Sequence, residues 1–211
     1  MSQPIAHIQS ALRDLGYDPG PVDNVFGPRT EAAADAWLDA RGAPAVASAS
    51  PPTATAPGPT IIQGNGHAVR EIIIHCSATR RDWMANASPA KKMAEIRRWH
   101  VEGNRWSDIG YHWVVDRDGT LMRGRPETVV GAHTEGRNTG SIGICLIGGF
   151  GSSADDGFRT HFTLAQDTTL RQQIQAIGMR TPIERVSGHN EHAAKACPGF
   201  RVGPWLMKKG A

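Results

Sequence analysis

The spacing of apolar positions changes several times along the chain. Near the N-terminus, Ile5, Ile8, Leu12 and Leu15 recur at intervals of three and four, the period of one helix face, and Gly16 follows as a stop. A Gly-, Pro- and Asp-rich stretch runs from Tyr17 to Gly27. Pro28 then stands where the first residue of a helix tolerates proline. Ala33, Trp37 and Ala40 mark one face of that second helix, which Gly42 ends. From Ala43 to Thr60 the period disappears. Every residue there except Val46 is Ala, Pro, Ser, Thr or Gly, a composition that cannot bury a core and whose prolines forbid a long helix. It reads as a semi-stiff linker.

Beyond the linker the pattern becomes that of a folded domain. Ile72, Ile73 and Ile74 form a continuous β-branched run, which predicts a buried strand over Glu71–Cys76. Ala90 to Val101 predicts a helix, Tyr111 to Val115 a strand, and Asp116-Arg117-Asp118-Gly119 a hairpin turn into Thr120–Met122. Ile142 to Ile147 predicts a second buried strand. Thr163 to Gly178 predicts a helix with Leu164, Leu170, Ile174 and Ile177 toward the core. A short strand precedes Gly188, and Val202 to Lys208 completes the series with a helix. Strands interspersed with helices predict an α/β (α+β) domain with a central mixed sheet flanked by helices. The expected organisation is a small all-α module over 1–42, a linker over 43–68 and a larger domain over 69–211.

Composition narrows the classes of function. The chain has 211 residues, 39% hydrophobic and 20% charged, which excludes wholesale disorder. No apolar stretch reaches the roughly 18 to 20 residues of a membrane-spanning helix. The net charge of +3 is far from the basic density of a dedicated nucleic-acid binder. The paired cations Arg80-Arg81, Lys91-Lys92, Arg97-Arg98 and Lys208-Lys209 are scattered and lack interleaved aromatics, so solvated faces explain them. The first residues carry no Lys or Arg and no continuous apolar core, which predicts synthesis without a signal peptide and initial retention in the cytoplasm. Three cysteines without a C-x-x-C pair argue against a disulfide framework.

Nine histidines invite a search for metal chemistry. The segment from His189 to Gly199 holds His189, His192, Lys195 and Cys197 on a stretch rich in turn formers. Imidazole and thiolate are both good zinc ligands, and a catalytic zinc takes three protein ligands plus water. His75 is the natural third donor, because a polar side chain ending an apolar strand needs a partner. On that strand His75 and Cys76 point to opposite faces, so one alone joins a given site. Cys76 and Cys145 read as small buried hydrophobes. For Cys197 the spacing leaves zinc ligation, a reactive thiol and an inert role open.

Five strings in order make the domain recognisable: IIIHCSAT (Ile72 to Thr79), IRRWH (Ile96 to His100), DIGYHWVVDRDGT (Asp108 to Thr120), SIGICLIGG (Ser141 to Gly149) and HNEHAAKACPGF (His189 to Phe200). Together they resemble the zinc N-acetylmuramoyl-L-alanine amidases, which include phage lysozymes of the amidase type and share the fold of peptidoglycan recognition proteins. The segment IQSALRDLGYDPGPVDNVFGPRTEAA (Ile8 to Ala33) with the Trp37 helix resembles three-helix peptidoglycan-binding modules, although the linker begins where a third helix closes that kind of module.

The resemblance implies a zinc cleft on one face of the sheet, with one Zn2+ per chain held by His75, His189 and Cys197, and His192 outside the ligand set. It implies catalytic roles for Tyr111 and Lys195 and a substrate-binding role for His133, with Asn138, Thr139 and Ser141 as further substrate-facing candidates. Trp99 and His100 are expected to pack, and His112, pointing away from Tyr111 on its strand, to be buried in the core or to back the site residues. The implied reaction is hydrolysis of the amide between the N-acetylmuramoyl lactyl group and L-alanine. The implied partner is bacterial peptidoglycan, with no nucleic acid, no membrane insertion and a monomeric chain. A phage endolysin made in the host cytoplasm and released to the wall fits this set. The alternatives are a non-catalytic peptidoglycan recognition module, against which the full ligand set counts, and a wall glycosidase. The latter needs two carboxylates astride a sugar bond, and no pair among Glu71, Glu95, Glu102, Glu127 and Glu135 sits in a telling motif.

Overall fold

The structure is a computed structural model that describes residues 4–25, 29–30, 33, 36–37 and 60–208. The chain divides into two compact units between residues 55 and 56. In the first, helix α1 (Pro4–Asp14) is opened by Asn24, whose Oδ1 accepts the backbone N–H groups of Ile5 and Ala6 at 3.1 Å each. These are donors that a helix cannot satisfy internally. The predicted apolar face is only partly the buried one. Ala6 and Leu12 are buried, but Ile8 and Leu15 are 46% and 54% exposed. The buried position between them is Gln9. Its amide nitrogen reaches Asp23 Oδ1, Val25 O and Thr30 Oγ1 at 3.0, 2.9 and 3.1 Å, and its carbonyl accepts the N–H groups of Asp23 and Asn24. The loop is folded around one satisfied polar group, which hydrophobic periodicity does not register. Of the second predicted helix, Arg29, Thr30, Ala33, Ala36 and Trp37 are described and helical, with Ala33 buried. Ala40, Gly42 and the linker from 43 to 59 lie outside the described residues.

The second unit includes residues expected as the end of the linker. Strands β1 (Ile62–Gln63) and β2 (His67–Ala68) pair antiparallel. Gln63 is fully buried, donating to Ser141 O at 2.9 Å and accepting from Gly140 N at 3.0 Å. This hairpin is therefore bonded to the body of the domain.

Strands β3 (Glu71–Cys76), β4 (Trp113–Val115), β5 (Leu121–Arg123), β6 (Ser141–Leu146) and β7 (Arg185–Gly188) form a mixed sheet in the order β5-β4-β6-β3-β7. β3 is parallel to β6 and β7, and β4 is parallel to β6. β4 and β5 make the predicted antiparallel hairpin, closed by Gly119 N to Asp116 O at 2.9 Å. Tyr111 and His112 precede β4 instead of opening it.

Alternation along the strands gives the sheet two different faces. One is wholly apolar: Ile72, Ile74, Cys76, Val115, Ile142, Ile144 and Leu146 pack against Phe158 of α3 (Phe158–His161), Leu170 and Ile177 of α4 (Leu164–Gly178), and Val202 and Trp205 of α5 (Val202–Met207). Each such aliphatic side chain contributes about 1.5–3 kcal/mol on burial. α4 begins with a reciprocal cap between Thr163 and Gln166. Leu164, expected in the core, is 37% exposed. The opposite face is divided. Val114, Cys145 and Ile147 lie with Ile109 and with Ile96 of α2 (Pro89–Arg98), which is capped by Ser88 and continues as a π-helical turn over Trp99–Gly103. Lys92 of α2 reaches both carboxylate oxygens of Asp116 at 2.9 and 2.8 Å, a buried ion pair that holds the helix to the β4–β5 turn. The other half of this face is polar. The register aligns Glu71 with Ser141, Ile73 with Gly143 and Ser187, and His75 with Cys145. Among the described residues no helix is long and apolar enough to cross a membrane.

His112 lies fully buried on this polar half, as expected. Its Nδ1 accepts Gly143 N–H at 2.9 Å and its Nε2 lies 3.0 Å from Val129 O. Burial pushes its pKa from 6.5 down to about 4. The folded imidazole is thus neutral where the unfolded one is charged. Its contribution to stability is full above about pH 6.5, is lost as pH falls through that value toward 4, and levels off below. The loss is on the order of 3 kcal/mol. His112→Gln is expected to flatten the acid limb of a plot of unfolding free energy against pH, measured by urea denaturation between pH 7 and 4.

Candidate metal centre and cleft

β7 pairs with β3 only as far as Gly188 opposite Ile74. The last two residues of β3, His75 and Cys76, therefore run past the end of β7, and the chain leaving β7 turns at once into a 3₁₀ turn, His189–Glu191. Carboxyl ends of parallel strands are where open α/β sheets place ligand sites. His75 is buried, and its ring lies 4.7 Å from that of His189, centroid to centroid. Cys197 returns to the same strand end. Its Sγ accepts the Cys76 N–H at 3.3 Å and lies 3.8 Å from His75 Nδ1. One donor atom each from His75, His189 and Cys197 lie within 4.8 Å of one another, so these three residues form a group able to hold a metal ion. The Cys76 side chain does point to the opposite face from His75, into the apolar core, and Cys145 is buried too.

The electrostatics suit cation binding. Burial, followed by the neighbouring His133 and His189, pushes the His75 imidazole well down; burial and then Lys195 push His189 down. Both rings are neutral at pH 7, the form that ligates. The Cys76 thiol and burial push the Cys197 thiol well up. A cation bound there would supply the charge that favours the thiolate.

The turn carrying His189 is pinned from several sides. Gly188 N donates to Glu191 Oε1 at 2.7 Å, and Asn190 Nδ2 donates to Phe200 O at 3.2 Å. His192, three residues after His189, does not join the donor group. Its Nε2 lies 2.9 Å from Ser187 Oγ and 3.1 Å from Glu71 Oε1, while Ser187 Oγ donates to Glu71 at 2.7 Å. Glu71 and Ser187 lie on the site-bearing face of the sheet, so this cluster ties the loop to β3 and β7.

Tyr111 brings its ring to 5.2 Å from both His75 and His100. Burial pushes its phenol well above the usual value, which leaves a neutral hydroxyl able to donate. His100, expected to pack, touches Tyr111 and Trp106 and accepts Gly110 N–H on Nδ1 at 3.0 Å. Lys195 lines a cleft of about 630 Å³ together with Trp106, His133, Asn138, His189 and His192. Asn138 also braces the loop, its Oδ1 accepting the N–H groups of His133 and Thr134. Ser141 and Thr139 do not line this cleft: Ser141 is buried with Oγ donating to Arg137 O at 2.6 Å, and Thr139 borders a different cavity beside Arg137. Trp106, Glu135 and the Glu71–His192 cluster were not read from the sequence. The i, i+3 spacing of His189 and His192 was a usable signal, but Glu71 lies too far away in the chain to connect with it.

Residues 65–200 match the N-acetylmuramoyl-L-alanine amidase family, and residues 2–36 match a peptidoglycan binding domain. The chain belongs to the N-acetylmuramoyl-L-alanine amidase family, and it is a hydrolase of the amide between the muramoyl lactyl group and L-alanine in peptidoglycan. It is 39% identical to the endolysin of Escherichia phage T7 over 137 residues, covering 65% of this chain and 85% of that protein. The fold is that of the N-acetylmuramoyl-L-alanine amidase LysC from Clostridium intestinale, with 27% identity, a TM-score of 0.51 and coverage of 65% and 82%. It is also that of Drosophila PGRP-LB, with 23% identity, a TM-score of 0.55 and coverage of 74% and 88%.

The Glu71 cluster yields a stability test. Glu71→Ala leaves the buried Ser187 hydroxyl and the His192 imidazole, whose side chain is 4% exposed, without their charged acceptor. It is expected to cost about 1–3 kcal/mol in urea denaturation of metal-free protein. Glu71→Gln keeps an acceptor oxygen and is expected to retain most of the difference.

Proposed function

We propose that this chain is a zinc-dependent endolysin in which His75, His189 and Cys197 hold one zinc ion, Tyr111 and Lys195 act on the amide, and an N-terminal unit engages the wall. The observation that carries the reading is the convergence of two imidazoles and a thiol at the end of β3, beside a cleft that Lys195 lines. Two nitrogens and one sulfur in a partly open site fit zinc with a position left for water. When bound, zinc acts as a Lewis acid and lowers the pKa of its water toward ~7.

The chain's own groups do the rest. Lys195 lines the cleft, where its ammonium stabilises negative charge developing on the carbonyl oxygen of the scissile amide. The Tyr111 hydroxyl, held neutral by burial, donates a hydrogen bond toward the same reacting centre. Trp106 and Asn138 form cleft walls that orient the substrate. Glu135 is the only carboxylate among the residues lining this cleft, and Glu71 is engaged with Ser187 and His192, which disfavours the paired carboxylates of a glycosidase. Residues 1–42 act as the wall-binding module, joined through 43–59 to the catalytic unit, and tethering raises the enzyme's local concentration at an insoluble substrate.

Two measurements test this reading. Purified protein incubated with sacculi is expected to release free amino groups and no new reducing ends. Chelator or Cys197→Ser is expected to abolish the release and strip the zinc; full activity in metal-free protein refutes the mechanism. Lys195→Ala is expected to keep its zinc while losing about a hundredfold or more in turnover, roughly 3 kcal/mol. Wild-type turnover in that variant makes Lys195 a solvated loop charge.

A further inference from the structure

His133, expected to contact substrate, reaches the cleft lining, but most of its ring is buried behind His75. His133 is buried, and its Nδ1 lies 3.1 Å from His75 Nε2. The ring stands edge-on to that of His75, with centroids 5.1 Å apart. The slot that holds it depends on two glycines. A Cβ at Gly143 of β6 would come within 2.6 Å of the His133 ring, and one at Gly131 within 2.5 Å. No side chain fits at either position without displacing the imidazole. Thr134 Oγ1 closes the remaining side, 3.2 Å from His133 Nδ1 and 3.4 Å from His75 Nε2.

The proton positions follow from the network, starting at its far end. Ser141 Oγ lies 2.6 Å from Arg137 O and 3.1 Å from Asn138 O, two carbonyls that only accept. The single hydroxyl proton is spent there, so toward His133 Nε2, 3.4 Å away, Ser141 Oγ is an acceptor. His133 therefore carries its proton on Nε2 and presents a lone pair at Nδ1. His75 must then donate from Nε2, which leaves its Nδ1 lone pair free, and that is the atom facing Cys197 Sγ at 3.8 Å.

We propose that His133 is a positioning residue for the metal centre: through Ser141 and the His133 Nδ1···His75 Nε2 hydrogen bond it fixes the tautomer and ring orientation in which His75 ligates. This rests on the zinc reading above. Partners of this kind, bonded to the far nitrogen of a ligating imidazole, typically change metal affinity by about 10- to 100-fold.

The test uses the full chain as wild type, His133→Leu, His133→Asn and Ser141→Ala. Zinc affinity is measured by competition with a chromophoric chelator, together with the absorption spectrum of the cobalt(II) form and KM for a soluble muropeptide at saturating zinc. His133→Leu is expected to weaken zinc binding about 10- to 100-fold and to alter the cobalt spectrum. His133→Asn, whose Oδ1 can accept where Nδ1 did, is expected to restore most of the affinity, and Ser141→Ala to lose a smaller part. KM at full loading is expected to change far less than zinc affinity does. Unaltered affinity in His133→Leu, or a raised KM with affinity intact, overturns the inference and makes His133 a substrate contact. If His133→Leu does not fold, Ser141→Ala decides: affinity equal to wild type overturns the inference. A wild type that binds no zinc removes the underlying metal reading, a result distinct from equal binding by wild type and variants.

Discussion

β3 is paired along its whole length by β6 but only over its first four residues by β7. The two residues beyond, His75 and Cys76, keep an open edge at the carboxyl end of the sheet, and the group able to hold a metal ion is assembled on that edge. His75 supplies a side chain, Cys76 supplies a backbone N–H to Cys197 Sγ, and Gly188 releases the chain directly into the turn of His189. A longer β7 would occupy the edge and carry His189 past the site. The length of a four-residue strand thus decides where the donors meet.

Around that edge the domain tolerates an unusual amount of buried polarity. His75, His112, His133, Ser141 and Ser187 are all buried on one half of one face. Burial of such groups is costly unless each finds a partner. Here each does, and the partners are mostly one another or backbone groups. The opposite face of the sheet, wholly apolar under α3, α4 and α5, supplies the hydrophobic stabilisation that this half does not.

Much of this fold was legible in the chain. β3 and β6 declared themselves through apolar runs, Ile72–Ile74 in the first and Ile142–Ile147 in the second, because parallel strands of a central sheet are buried on both faces. The Asp116–Gly119 turn and the Thr163 cap act through local chemistry and were equally readable. What escaped was polarity used as structure. Ile8 and Leu15 look like core but are exposed, because Gln9 organises the N-terminal loop through five hydrogen bonds to distant residues. Residues 62–68 were assigned to the linker because two short strands carry little pattern, although Gln63 bonds them to Gly140 and Ser141. At the site, the residue types and the strand-end position of His75 pointed to a donor group. The bonds from Glu71 to Ser187 and His192 and the His75–His133 bond join residues 58 to 121 positions apart, and no spacing rule links them.

The 3₁₀ turn after β7 carries His189 toward the cleft and, three residues on, His192 back to Glu71. One short piece of chain is thereby fastened at both ends, and His75 is fastened from behind by His133. The rotational freedom of the donors is surrendered when the protein folds, not when a cation arrives. Association at such a preorganised site has little further ordering to oppose it. A cation entering there would meet two imidazoles and a thiol already in place, a donor set that suits zinc better than the oxygen-seeking magnesium or calcium.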